Sequence, residues 1–227
     1  MDLADRRMKG RTFCLPKWSR RRLIAPSAFF LAVIYYEELF MKLFCFHTLS
    51  LAGVFFTLIY SIPMAILFGL LCGGVGERTG RWLLVVCTGA ISLWMGSQIV
   101  YYHLFKTFMT IFSLTKMLMV AQSFGNMAMG QVLNWFPILM MAVPVGLALV
   151  FRRRIVAGPT LRRGDRLRWL GVGVLVQIVG ILLVLLCGGG NLSLRYLYLQ
   201  AAAPELEVQN FGMFTQTQLE VRRVLFG

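Results

Sequence analysis

Apolar positions along the chain gather into five stretches of roughly 20 residues, at 23–45, 49–74, 82–104, 131–151 and 167–188. A bilayer core about 30 Å thick asks for that length from a helix. The stretches are apolar on all sides and do not alternate, so they read as helices and not as barrel strands. The pattern predicts an all-α polytopic membrane protein with five transmembrane helices. It divides the chain into a polar segment at 1–22, a membrane domain at 23–188 and a juxtamembrane linker at 189–227. Between the third and fourth stretches, Phe105, Phe108, Phe112 and Met119 recur at helical spacing, with Lys106, Lys116 and Gln122 among them. That composition suits an amphipathic helix lying in the outer interface. Tyr101 and Tyr102, at the exit of the third stretch, fit an aromatic belt, and the whole segment is a candidate lipid cradle.

The charges orient this pattern. Lys and Arg number 23 against 9 Asp and Glu, a formal net charge of +14. Eight basic residues lie in residues 1–22, two more are Arg78 and Arg81, and seven fall between 152 and 168. In a five-span chain all three groups share one side. The opposite side holds Lys106, Lys116, Arg195, Arg222 and Arg223, with Lys42 near the end of the first stretch. The positive-inside rule places the N-terminus in the cytoplasm and the C-terminus outside. The basic excess is then an orientation signal and a contact for anionic headgroups, and nucleic acid is not expected as a partner. The first stretch is longer than a signal-peptide core and no small-residue cleavage site follows, so it reads as a retained anchor.

Composition fits this picture. The chain is 58% hydrophobic and 14% charged, with a mean hydropathy of +0.72, too apolar for an ordinary soluble domain. Within the first stretch Glu37, Glu38 and Lys42 stand out, because charge inside a bilayer is costly. Glu38 and Lys42 are spaced i,i+4 in the favourable order. They read either as an ion pair that fixes helix rotation or as a polar pocket for a headgroup or proton. Pro63, Pro137 and Pro144 kink or interrupt the second and fourth stretches, and Gly69 and Gly73 permit close helix approach.

Catalytic chemistry is absent from the residue pattern. His47 and His103 stand apart without metal-type neighbours, and the five cysteines form no C-x-x-C pair. No phosphate loop, HExxH or G-x-S-x-G occurs. No catalytic residue, metal site or cofactor is expected in this chain.

The tail carries a resemblance. Phe211-Gly212-Met213-Phe214-Thr215 and the closing Leu225-Phe226-Gly227, taken with Tyr101-Tyr102-x-x-Phe105-x-x-Phe108 and the five-span topology, resemble the membrane half of the lipoteichoic acid synthase family. These are phosphoglycerol transferases of the sulfatase/alkaline phosphatase superfamily. Phe211, Gly212, Thr215, Phe226 and Gly227 correspond to the family's linker, and Glu220 stands where an Asp is the expectation. The resemblance implies transfer of glycerol phosphate from phosphatidylglycerol to a glycolipid-anchored polymer in a bacterial cytoplasmic membrane. The threonine nucleophile and the divalent metal, manganese in the family, belong to an exterior domain that would follow Gly227. Thr215 and Thr217 are therefore not nucleophiles. The chain reads as a truncated or split protein, or as a free-standing module.

The expected role is to anchor an exterior catalytic domain, in cis or in trans, and also to present the lipid substrate. Glu38, Lys42, Tyr101, Tyr102, Phe105, Lys106 and Phe108 are the candidate contacts to lipid or domain. Anionic phospholipid such as phosphatidylglycerol is the expected lipid partner. A small transporter or flippase, or a scaffold for another membrane protein, is the alternative.

Overall fold

The computed structural model describes residues 17–110, 135–158, 160–161, 163–187, 193–200 and 203–226. Among them are eight helices and no strand: α1 (Lys17–Phe46), α2 (Leu51–Gly74), α3 (Glu77–Phe105), α4 (Trp135–Ile155), α5 (Arg163–Leu186), α6 (Leu194–Gln200), α7 (Pro204–Phe211) and α8 (Met213–Phe226). Four segments are long and apolar enough to cross a membrane: Leu51–Gly74, Glu77–Phe105, Phe136–Ile155 and Arg163–Leu186. α1, at 30 residues, is the longest helix among the described residues, and it carries Glu37, Glu38 and Lys42.

α2 is the hub. It packs on α1, α3, α5 and α7, while α4 lies against α3 and α1. Half of the apolar window of α2 is buried, against 17% for α5, so α5 presents most of its surface outward. Close approach depends on small residues. A Cβ added at Gly69 would collide with Ser27 of α1, and one at Gly180 of α5 would come within 3.0 Å of Ile59 and 3.3 Å of Tyr60 on α2. Gly69 thus does what its spacing with Gly73 predicts.

The arginine-rich end is built from helix termini. Arg166 donates to the carbonyls of Gly74 and Leu161. Arg81 donates to Val156 O at 3.3 Å, and the Arg152 guanidinium lies 4.5 Å from the Trp82 ring centroid. Guanidinium groups here satisfy carbonyls that a helix end leaves without partners, where the helix dipole also favours positive charge.

The prolines do not interrupt the helices. α2 runs continuously through Pro63 and α4 through Pro144. Pro137 lies within α4 as described. α4 is described from Trp135, and residues 131–134 of the expected fourth stretch lie outside the described residues. Residues 111–134, which hold most of the expected amphipathic outer helix, lie outside the described residues. Its first part is not helical. α3 ends at Phe105, with Lys106 in the left-handed region at φ 57° as the C-cap.

Candidate functional site

α1 buries a face through Phe30, Ile34, Glu37, Glu38, Met41, Lys42 and Cys45. This is the i, i+4, i+7 face of a helix, so the two carboxylates and the ammonium are carried into the interior by the same periodicity as their apolar neighbours. The glutamates leave on different sides. The Ser92 hydroxyl of α3 donates to Glu37. Glu38 accepts backbone N–H bonds from Met213 at 2.9 Å and Phe214 at 3.1 Å, the first two residues of α8. The first N–H groups of a helix have no internal acceptor and sit at the positive end of its dipole. A buried carboxylate that receives two of them both caps α8 and neutralises part of its own burial cost. Hydrogen bonds to a charged group stabilise by about 1.5–3 kcal/mol each.

Gly212 makes this approach feasible. It stops α7, its N–H bonding to Val208 O at 3.0 Å, and its own carbonyl starts α8 by accepting from Gln216 N–H at 3.1 Å. Its φ is +91°, and a Cβ there would sit 2.9 Å from both Glu38 carboxylate oxygens. Phe211, beside it, is buried among Phe56, Tyr60 and Tyr198, with ring centroids 5.6–6.2 Å away. The Thr215 hydroxyl donates back to Phe211 O at 3.0 Å. The Phe-Gly-x-x-Thr motif therefore supplies an aromatic anchor, a tight break and a cap for the carbonyl at that break, one from each named position. Phe226 ends α8; its side chain and Gly227 are outside the described residues.

Lys42 turns the other way. Its ammonium donates to the Thr57 hydroxyl and to Gly53 O at 3.2 Å, both in α2. Glu38 and Lys42 make no direct ion-pair contact among the described residues, although each feels the other's charge. A Cβ on Gly53 would collide with Gln209 O of α7, so the same turn of α2 receives Lys42 from one side and the tail backbone from the other.

At the top of α3 the aromatic candidates divide. Tyr101 packs on Phe105, and Phe105 is 36% exposed. Tyr102 stacks on Phe108 with centroids 4.8 Å apart, and the Lys106 ammonium lies 6.0 Å from the Tyr102 ring. Phe108 is 1% exposed and fills the space between Phe46 and Tyr102, so it belongs to the core and not to a lipid-facing stripe. Gln98 holds the chain in this fold-back: its side chain accepts from Met109 N–H at 2.9 Å and donates to Met109 O at 3.4 Å. Residue pattern gives no sign of Gln98, since a lone glutamine on a helix has many uses.

Outside the membrane helices, Glu207 of α7 is buried and meets Arg223 of α8, at 3.2 and 3.3 Å. Burial and the neighbouring Glu220 push its carboxyl up, Arg223 pulls it down, and the balance lies at about 7. Tyr198 is also shifted upward by burial. Among the described residues, no three His, Cys, Asp or Glu side chains converge to hold a metal ion.

The described residues form a helical bundle with four helices long and apolar enough to cross a membrane, and its tail is capped by its own first helix. The family comparison agrees: residues 8–215 match the lipoteichoic acid synthase N-terminal domain, and the chain belongs to that family. The matched region includes the tail up to Thr215, the residue that closes the Phe-Gly break. No curated protein and no solved structure matches the chain.

Proposed function

We propose that this chain anchors an exterior catalytic domain of the phosphoglycerol-transferase type and fixes the direction in which that domain leaves the membrane. In this reading α1 is a fifth span, the N-terminus is cytoplasmic, and α6 to α8 sit on the outer surface of a bacterial cytoplasmic membrane. The observation that carries it is the Glu38 carboxylate on the N–H groups of Met213 and Phe214, a contact across 175 residues of sequence. A flexible linker would need no such cap. A docked one transmits the orientation of the bundle to whatever follows α8. Among the described residues the helices run through Pro63 and Pro144 without a break, so neither proline marks the discontinuous span that the transporter alternative would use.

Two measurements test the reading. Impermeant maleimide on intact cells should label Val224→Cys, on the exposed side of α8, and should not label Arg153→Cys. The reverse pattern overturns the orientation. Spin labels at Val224 and Thr79 should give one narrow distance distribution that broadens in Glu38→Ala. A distribution already broad in the parent overturns the fixed exit.

A further inference from the structure

Near the arginine-rich end of the bundle, α2 and α3 each bring one cysteine to the seam between them. Cys72 of α2 is fully buried, and Cys87 of α3 is half-buried against the same apolar cluster. Cys87 stands three residues after Leu84 and four before Ile91, at the edge of the inward stripe Gly80, Leu84, Thr88 and Ile91. The two backbones meet along this stripe, since a Cβ on Gly80 would collide with Cys72 O. Both cysteines are free thiols, and their side chains are in hydrogen-bonding contact with each other.

The two thiols differ in access. Val86, beside Cys87, is 61% exposed, so this edge of α3 opens outward, whereas Cys72 is closed off behind it. An accessible thiol backed by a second one is the arrangement in which oxidation ends at a disulfide. The first sulfur becomes a sulfenic acid and the second resolves it. A buried cysteine without such a neighbour is inert, and Cys45, buried in α1, is the internal comparison.

We propose that Cys87 and Cys72 form a reversible oxidation site for a membrane-permeant hydroperoxide. The Cys87 sulfur attacks the peroxide O–O bond and becomes a sulfenic acid, and the peroxide leaves as water or, from an organic hydroperoxide, as an alcohol. The Cys72 sulfur then displaces the sulfenic hydroxyl, which leaves as water with the Cys72 proton, and the S–S bond forms. In balance, the two thiols give up two hydrogens and two electrons, and the peroxide takes them. The link staples α2 to α3 beside Gly73 and Gly74, whose carbonyls accept from Leu161 N–H and from Arg166. Oxidation thus tightens the turn on which the α4–α5 connection docks. The site shares no residue with the Glu38 latch or the tail.

The test treats the full chain, in phosphatidylcholine nanodiscs, with cumene hydroperoxide and maps the cysteines by mass spectrometry without reduction. The peptides holding Cys72 and Cys87 should be recovered joined, within single chains and two hydrogens lighter than the free pair, and a permeant dithiol should release them. Cys72→Ser should leave Cys87 as a sulfenic acid, trapped by a cyclic diketone at about tenfold the level in the parent. Cys87→Ser should leave Cys72 a free thiol, oxidised at least fivefold more slowly than in the parent. Amide exchange at Leu161 should slow at least threefold in the linked chain and recover on reduction. A parent whose exposed Cys187 is oxidised while Cys72 and Cys87 stay free overturns the proposal, as does a link from either of them to Cys187 or to a second chain. Equal oxidation of Cys72 in Cys87→Ser and in the parent overturns the order of attack. Unchanged exchange at Leu161 overturns the coupling to the arginine-rich end.

Discussion

The Tyr36 hydroxyl of α1 donates to the carbonyl of Met140 at 3.2 Å, the oxygen that Pro144, four residues on, leaves without its helical N–H. A proline in a membrane helix is tolerated when a neighbour re-satisfies the freed carbonyl, and here one side chain does so while joining α1 to α4. Tyr36→Phe should therefore destabilise the bundle by about 1 kcal/mol, within the range measured for interhelical bonds in membranes. The cost should largely vanish in a Pro144→Ala background, where the new N–H takes the carbonyl back. Thermal unfolding of the four members of this cycle in one detergent checks it. An equal cost in both backgrounds would mean that the hydroxyl acts elsewhere.

Gly212 is the position where the tail is least tolerant. Ala there meets both an unfavourable φ and the Glu38 carboxylate, for roughly 2–4 kcal/mol lost from α8 docking. Gly89 is the control: it lies mid-helix in α3 with open space where a Cβ would go, so Gly89→Ala should stabilise by roughly 0.5–1 kcal/mol. Amide exchange in residues 213–226 should rise more than tenfold in Gly212→Ala and stay unchanged in Gly89→Ala. Glu38→Gln, which retains one acceptor oxygen, should fall between the parent and Gly212→Ala.

What was legible in the sequence was decided locally. The apolar stretches at 49–74, 82–104, 131–151 and 167–188 lie within a few residues of α2 to α5, because length and hydropathy alone select a helix that can cross a bilayer. Glu38 and Lys42 stand out for the same reason, as charges in an apolar run. Their partners do not, since Met213 and Gly53 contribute backbone atoms that carry no residue signature. The i,i+4 rule offered each to the other, and tertiary contacts with α8 and α2 outcompeted it. Phe108 departs for a different reason: its spacing from Phe105 is helical, but Lys106 ends the helix and turns the ring inward. The tail reads in sequence as a juxtamembrane linker, and the packing of Phe211 and Glu207 against other helices shows that it is docked.

The fold-back after α3 rests on one side chain. Gln98→Leu would leave the N–H and C=O of Met109 buried without partners, at about 1–3 kcal/mol for each group. Limited proteolysis should then cut within residues 106–110 and should leave the parent intact there. A variant as resistant as the parent would show that Phe108 packing alone holds the turn.

The pH response of the tail follows from Glu207. Its carboxyl titrates at about 7 in the folded protein, above the ordinary value of 4.5, because burial and Glu220 outweigh Arg223. The folded state thus holds a proton that the unfolded state has already released between these values. The associated stability is fully present below 4.5, declines as pH rises, and is lost as pH passes through about 7. The α7–α8 contact should be firmer at about pH 5 than at about pH 8, the opposite of a simple ion pair between exposed Glu and Arg. Glu207→Gln should flatten the profile while keeping a polar group for Arg223 to meet. Amide exchange of residues 204–226, corrected for intrinsic rates at each pH, gives the readout. Protection that rises with pH across this range in the parent would assign Glu207 to the charged state throughout and make Arg223 the dominant influence on it.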